Sequence, residues 1–216
     1  MKKPPKTRGV PHLPIVGKPA HNGLFQCAIG GLVISWSNNE SVFIEMLRQL
    51  ITGGKFSAQI VWHSQRTAVA RLELVSRLCR ERVSDKLLID DITKAISTFK
   101  GFTKTRNFYC HALYQYDSEA YLVRATSTTM ASDDEPIRFD ERRMDAAMAN
   151  ELGDATLRMA EFNRELWKLV VRLQQSLGNP PLTLPELLRE TISSPDDRPH
   201  SDEDGSHEAQ PPKSEE

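Results

Sequence analysis

Between residues 140 and 177 the apolar residues Met148, Leu152, Ala155, Met159, Phe162, Leu166, Leu169 and Leu173 follow one another by fours and threes. That alternation is a heptad seam, the mark of a long α-helix with one narrow apolar stripe. Such a stripe cannot be buried on its own helix. It must lie against other helices, in its own bundle or a partner's. The seam therefore points to an all-α fold, and Gly178 with Asn179-Pro180-Pro181 ends the helix and the domain.

Three further helices are expected upstream. The first covers about 26–51, with Leu32, Trp36, Phe43, Met46, Leu47 and Leu50 on one side and Gly53-Gly54 as its stop. The second, roughly 57–82, carries Ile60, Val61, Val69, Leu72, Val75 and Leu78. Ser84 followed by Asp85 reads as an N-cap with an acidic first turn for the third. After His111 the helical period breaks. The following stretch is rich in Tyr, Val and Thr, with Asp117-Ser118 as a turn, and predicts a two-stranded β-hairpin or an extended flap. Residues 130–136 read as loop. The sum is a four-to-five-helix bundle with a short hairpin before its last long helix.

The ends differ from this middle. Residues 1–22 are basic and rich in proline, and residues 193–216 are acidic, so a net charge of −1 hides a basic arm and an acidic tail. Neither end has the apolar residues to offset the entropy of ordering it, so both are expected to be flexible. On this reading the helical domain occupies 23–178, and 179–192 form a short amphipathic segment. A basic arm can help hold nucleic acid.

Several chemistries are disfavoured. Cys27, Cys79 and Cys110 are odd in number and form no CxxC pair, which argues against a disulfide framework and a structural zinc site. No phosphate-gripping glycine loop, HExxH or paired-carboxylate signature occurs, and Gly53-Gly54-Lys55 lacks the rest of a P-loop. No cofactor or metal is expected. The basic N-terminus runs into prolines rather than a signal-peptide core, and the apolar run at 24–34 is too short to span a bilayer. The expectation is a cytoplasmic protein without a membrane partner.

The polar anomaly lies at the end of the third helix. Leu88, Ile92, Ile96, Phe99, Thr103, Arg106 and Cys110 form one stripe, the last five of them within about 40° of a line through Ile92. Arg106 is thereby set on the buried seam, and a buried guanidinium needs an anion, either a carboxylate or a ligand phosphate. Asn107 and His111, four apart, rise together at the edge of that face, with Tyr109, Tyr114 and Tyr116 close by. A histidine can take a proton from a ribose 2′-hydroxyl or give one to the leaving oxygen. An arginine beside it can stabilise charge on a pentacoordinate phosphorus. One histidine is a thin supply for both steps, and two copies meeting across a dimer interface would supply two. Glu40, one turn from Trp36, is a candidate to neutralise Arg106. His63 reads as a surface residue, and His12, His21, His200 and His207 fall in the flexible ends.

"RNFYCH" at 106–111 resembles the R-x4-H pattern, with Asn directly after Arg, of HEPN-domain ribonucleases. A first helix with Trp36 and Glu40, a second with "RLELVSRL" at 71–78, and a third ending in this motif before a hairpin extend the likeness over residues 24–177. Ala112 stands where many relatives have a glycine. The resemblance implies a helical bundle that pairs as a homodimer. It further implies metal-independent cleavage of single-stranded RNA, often by a toxin with its antitoxin or by an antiviral defence effector. Arg106 and His111 would be catalytic and Asn107 supporting, with Glu40, Tyr109 and Tyr114 weaker candidates. Two other readings stay open: a non-catalytic helical module that binds a protein partner, and a nucleotide-binding module in which Arg106 grips a phosphate.

Overall fold

The computed structural model describes residues 18–51, 54–129 and 138–180. The arm before residue 18, the loop at 130–136 and the segments after 180 lie outside them. Five helices and one small sheet are seen: α1 (Lys18–Leu50), α2 (Gly54–Ser64), α3 (Ala68–Arg82), α4 (Lys86–His111) and α5 (Ala146–Ser176). Strands β1 (Leu113–Tyr116), β2 (Leu122–Thr129) and β3 (Arg138–Arg143) lie between α4 and α5.

Local chemistry sets most of the boundaries. Thr67 accepts from Ala70 N to start α3, Asp85 from Leu87 N and Leu88 N to start α4, and Asp145 from Met148 N to start α5. The cap of α4 is thus Asp85 itself, one residue after the expected Ser84. Gly178, at φ +65°, ends α5 in the left-handed conformation that a Cβ would strain.

The heptad seam is buried as its spacing requires. Leu152, Ala155, Met159, Leu166 and Leu173 are buried and Met148, Phe162 and Leu169 pack at their edge. The main partner is α1, and the two run parallel: Gly31 lies against Thr156, Asn39 against Met159 and Asn163, and Gln49 against Asn179. Asn39 is fully buried, its amide donating to Ser35 O and Met159 O while its Oδ1 accepts from Asn163. α4 runs antiparallel to both, through Trp36–Phe99 and Phe102–Phe162 ring contacts.

The structure corrects four expectations. The single second helix is two, broken at residues 65–67 where Thr67 caps a new start, and Ile60 and Val69 of its expected stripe are 71% and 53% exposed. The hairpin has a third strand, because residues 138–143 pair antiparallel with β2 in the order β1-β2-β3 rather than opening the last helix. α1 begins at Lys18, inside the stretch read as a flexible arm. His21 is consequently no loose residue: its Nε2 donates to Leu122 O at 2.9 Å, while Asn22 exchanges bonds with Ala120 O and Leu122 N. Cys110, finally, is exposed, because the last turn of α4 buries Phe108 and Tyr109 against the sheet instead.

Candidate active-site rim at the end of helix α4

α4 delivers the motif through an unbroken helix that leaves straight into β1. Ala112 caps it at φ −67°, ψ 144°, an extended conformation open to any residue. No glycine is needed at this exit.

Trp36 of α1 organises the inner side. Its ring stacks on Phe99 at 5.4 Å between centroids, and its Nε1 donates to Thr103 Oγ1 at 3.0 Å. Thr103 in turn donates to Phe99 O, which explains a polar residue on the buried stripe. One turn further, the Arg106 guanidinium lies over the same indole, 3.7 Å from the ring centroid. This is close cation–π geometry. The side chain is half-buried, its Nε is sealed from solvent without a hydrogen bond, and no acid pairs with it among the described residues.

Glu40 does not neutralise it. Its Oε1 accepts from Arg71 Nη1 at 2.8 Å, with both side chains about four-fifths buried, and Arg71 Nε donates to Gln65 O. The carboxylate expected opposite Arg106 is committed to α3.

Asn107 and His111 are exposed, and neither has a hydrogen-bond partner among the described residues. They stand one above the other, as their spacing predicts. At about 100° per residue, however, His111 lies about 140° round the helix from Arg106. The three side chains occupy adjoining faces of one rim rather than one face.

Tyr109 and Tyr114 are not part of that rim. Tyr109 is buried on the side of α4 turned away from Asn107 and His111, its hydroxyl donating to the Met148 sulfur and accepting from Arg142 Nη1 at 3.2 Å. Burial pushes its phenol up, against the hydrogen bond and charge of Arg142. Tyr114 donates to Tyr109 O, and burial, then neighbouring Cys110 and Tyr109, push its phenol up to about 12. Both tyrosines stay neutral and fasten the helix end to the sheet. Arg142 completes this fastening from β3, its guanidinium 4.1 Å from the Phe108 ring centroid. Sequence reasoning missed it because residues 140–143 were assigned to a helix.

Among the described residues no cluster of His, Cys, Asp or Glu is gathered as metal ligands would be, and no helix is long and apolar enough to cross a membrane. The chain matches no family model, and no curated protein or solved structure is similar to it.

Proposed function

We propose that this chain is a metal-independent endoribonuclease of the HEPN type, acting as a homodimer on single-stranded RNA. The observation that supports it is the state of Arg106: held over Trp36, deprived of Glu40, and without an acidic partner among the described residues. A guanidinium so placed is organised for a doubly charged or developing anion, such as the pentacoordinate transition state of a phosphodiester. Asn107 and His111 stand on the adjoining face, exposed and without a hydrogen-bond partner among the described residues.

The 140° between Arg106 and His111 favours a composite site. One imidazole pointing outward and one guanidinium laid back on α1 do not converge readily within a chain. Two copies related by a two-fold axis would place each His111 opposite the other's Arg106. One His111 then takes the 2′-hydroxyl proton, and the second protonates the 5′-oxygen as its bond to phosphorus breaks. The products are a 2′,3′-cyclic phosphate and a 5′-hydroxyl. Free activity of this kind damages the host cell, which suits a toxin held by a protein partner or a defence effector.

The test is incubation of the purified chain with single-stranded RNA in EDTA, with end-group analysis of the products. Cleavage leaving 2′,3′-cyclic phosphates, lost in both Arg106→Ala and His111→Ala, is the expected result. Cleavage that survives both substitutions sinks the reading, as does intact RNA beside a folded dimer.

A further inference from the structure

A second cationic feature lies on the flank of α4 that carries Asn107 and His111, away from Arg106. Between α3 and α4 runs a groove of about 390 Å³, lined by Arg77, Arg80 and Lys100 with the hydroxyls of Ser76, Thr93 and Ser97. Glu73 is the one acid of the lining, and it is engaged by Arg77 at 3.6 Å. Arg80 and Lys100 have no acidic partner among the described residues, and neither Ser76 nor Ser97 has a hydrogen-bond partner there. Thr93 spends its proton on Ile89 O. Arg48, Arg71, Arg124, Lys168 and Arg172, by contrast, each sit against a carboxylate, while other surface cations such as Lys55 and Arg164 lack an acidic partner among the described residues without lining this groove.

The groove does not stop at Lys100. Counting about 100° per residue, Ser97, Lys100, Lys104, Asn107 and His111 fall within one sector about 80° wide along α4. Lys104, Asn107 and His111 are exposed, and Lys104 too lacks an acidic partner. From Lys100 to His111 the stripe rises about 16 Å at 1.5 Å per residue. α3 runs back antiparallel from the short turn at 83–85, so its first residues leave this upper part of the stripe open.

We propose that the α3–α4 groove and the Lys100–Lys104–Asn107–His111 stripe are one track for the sugar–phosphate backbone of single-stranded RNA, ending at the Arg106/His111 rim. A line of cations of which Arg77 alone meets an acid, with the hydroxyls of Ser76 and Ser97 open beside it and no aromatic platform in the lining, matches a repeating anion rather than bases. Binding along it is sequence-tolerant, and it fixes which phosphodiester reaches His111. The end point of the track rests on the ribonuclease reading; the binding does not.

The experiment uses the full chain and a fully 2′-O-methylated, fluorescein-labelled oligoribonucleotide, which lacks the nucleophile and cannot be cut. Binding is read by anisotropy across a salt series. The variant Arg77→Gln/Arg80→Gln/Lys100→Gln should bind at least about tenfold more weakly at moderate salt. Its log–log salt slope should fall by about 2, from roughly 0.7 per lost phosphate contact on a single strand. A control carrying Lys55→Gln, Arg164→Gln and Lys168→Gln, equal in charge, should bind like the wild type. Equal losses in both variants, or no binding by the wild type, overturn the proposal. Groove-dependent binding by a chain that never cuts unmodified RNA keeps the track and removes the nuclease. Cutting that is indifferent to the groove variant does the reverse. Unchanged thermal melting of the triple variant certifies its fold.

Discussion

Two arginines of this molecule each lie over an indole, and they are in opposite situations. Arg71 sits 5.8 Å from the Trp62 ring centroid and gives its charge to Glu40 at 2.8 Å. Arg106 sits 3.7 Å from the Trp36 centroid and gives its charge to nothing among the described residues. The first is a closed unit, in which desolvation is offset by a paired charge and hydrogen bonds. The second keeps its geometry through the ring while its charge stays unmet. A cation held in place without a carboxylate is what an anionic ligand requires, and this separates a structural arginine from a candidate functional one.

The sharpest way to break that contrast is activity. Arg106→Ala should lower RNA cleavage by about 10²–10³-fold, the range for losing one preorganised donor to a transition-state anion. Its stability should fall by only about 1–2 kcal/mol, the worth of a partly desolvated cation–π contact. Arg71→Ala should do the opposite, costing about 3 kcal/mol in denaturant unfolding through a stranded Glu40. If Arg106→Ala melts like Arg71→Ala, the two are the same kind of residue.

A double-mutant cycle sharpens it further. Coupling between Glu40 and Arg71 should exceed about 1 kcal/mol, and coupling between Glu40 and Arg106 should stay below about 0.5 kcal/mol. A large Glu40–Arg106 term would restore the carboxylate to the candidate site.

The tyrosines test whether the side of α4 turned away from Asn107 and His111 is only a fastening. Tyr114 is raised from 10.0 to about 12, so the fold favours its neutral form. Its contribution is complete below pH 10 and is lost as pH rises towards 12. The stability curve of Tyr114→Phe should therefore fall less steeply across that window than the wild type's. Below it, cleavage by Tyr114→Phe should be unchanged.

The smallest expected effect concerns thiols. Cys79 is buried and its thiol is pushed up to about 12, whereas Cys27 and Cys110 are exposed. Two thiols per chain should react quickly with Ellman's reagent at neutral pH, and the third only on unfolding. A slow Cys110 would mean that something covers the rim, and a second copy of the chain is the first suspect.

How far the sequence could be read depended on how local the determining signal was. The seam of α5 was legible because its periodicity persists over eight positions with a single burial direction. α4 was legible up to Arg106, where its partner remains α1. Beyond that the helix meets the sheet, the buried side turns to Phe108 and Tyr109, and extrapolating the stripe wrongly hid Cys110. The third strand was illegible for a similar reason. "RFDERR" is charged throughout and owes its extended form to pairing with β2, a tertiary cause that local propensity does not contain. At the site, Arg106, Asn107 and His111 were found by spacing. The partner of Glu40 was not, since the break at 65–67 that aims Arg71 at it depends on one capping threonine.

The parallel pairing of α1 with α5 also bears on how the molecule is born. These two helices form the largest helix–helix interface, yet 95 residues separate the end of one from the start of the other. During synthesis from the N-terminus, the α1 face that carries Gly31 and Asn39 has no α5 to cover it until nearly the whole helical domain has left the ribosome. Closing so long a loop makes assembly a late step. Trp36, the seat of Arg106, belongs to the same helix. The rim at Arg106, seated on that helix, thus settles only once α5 has emerged to cover α1.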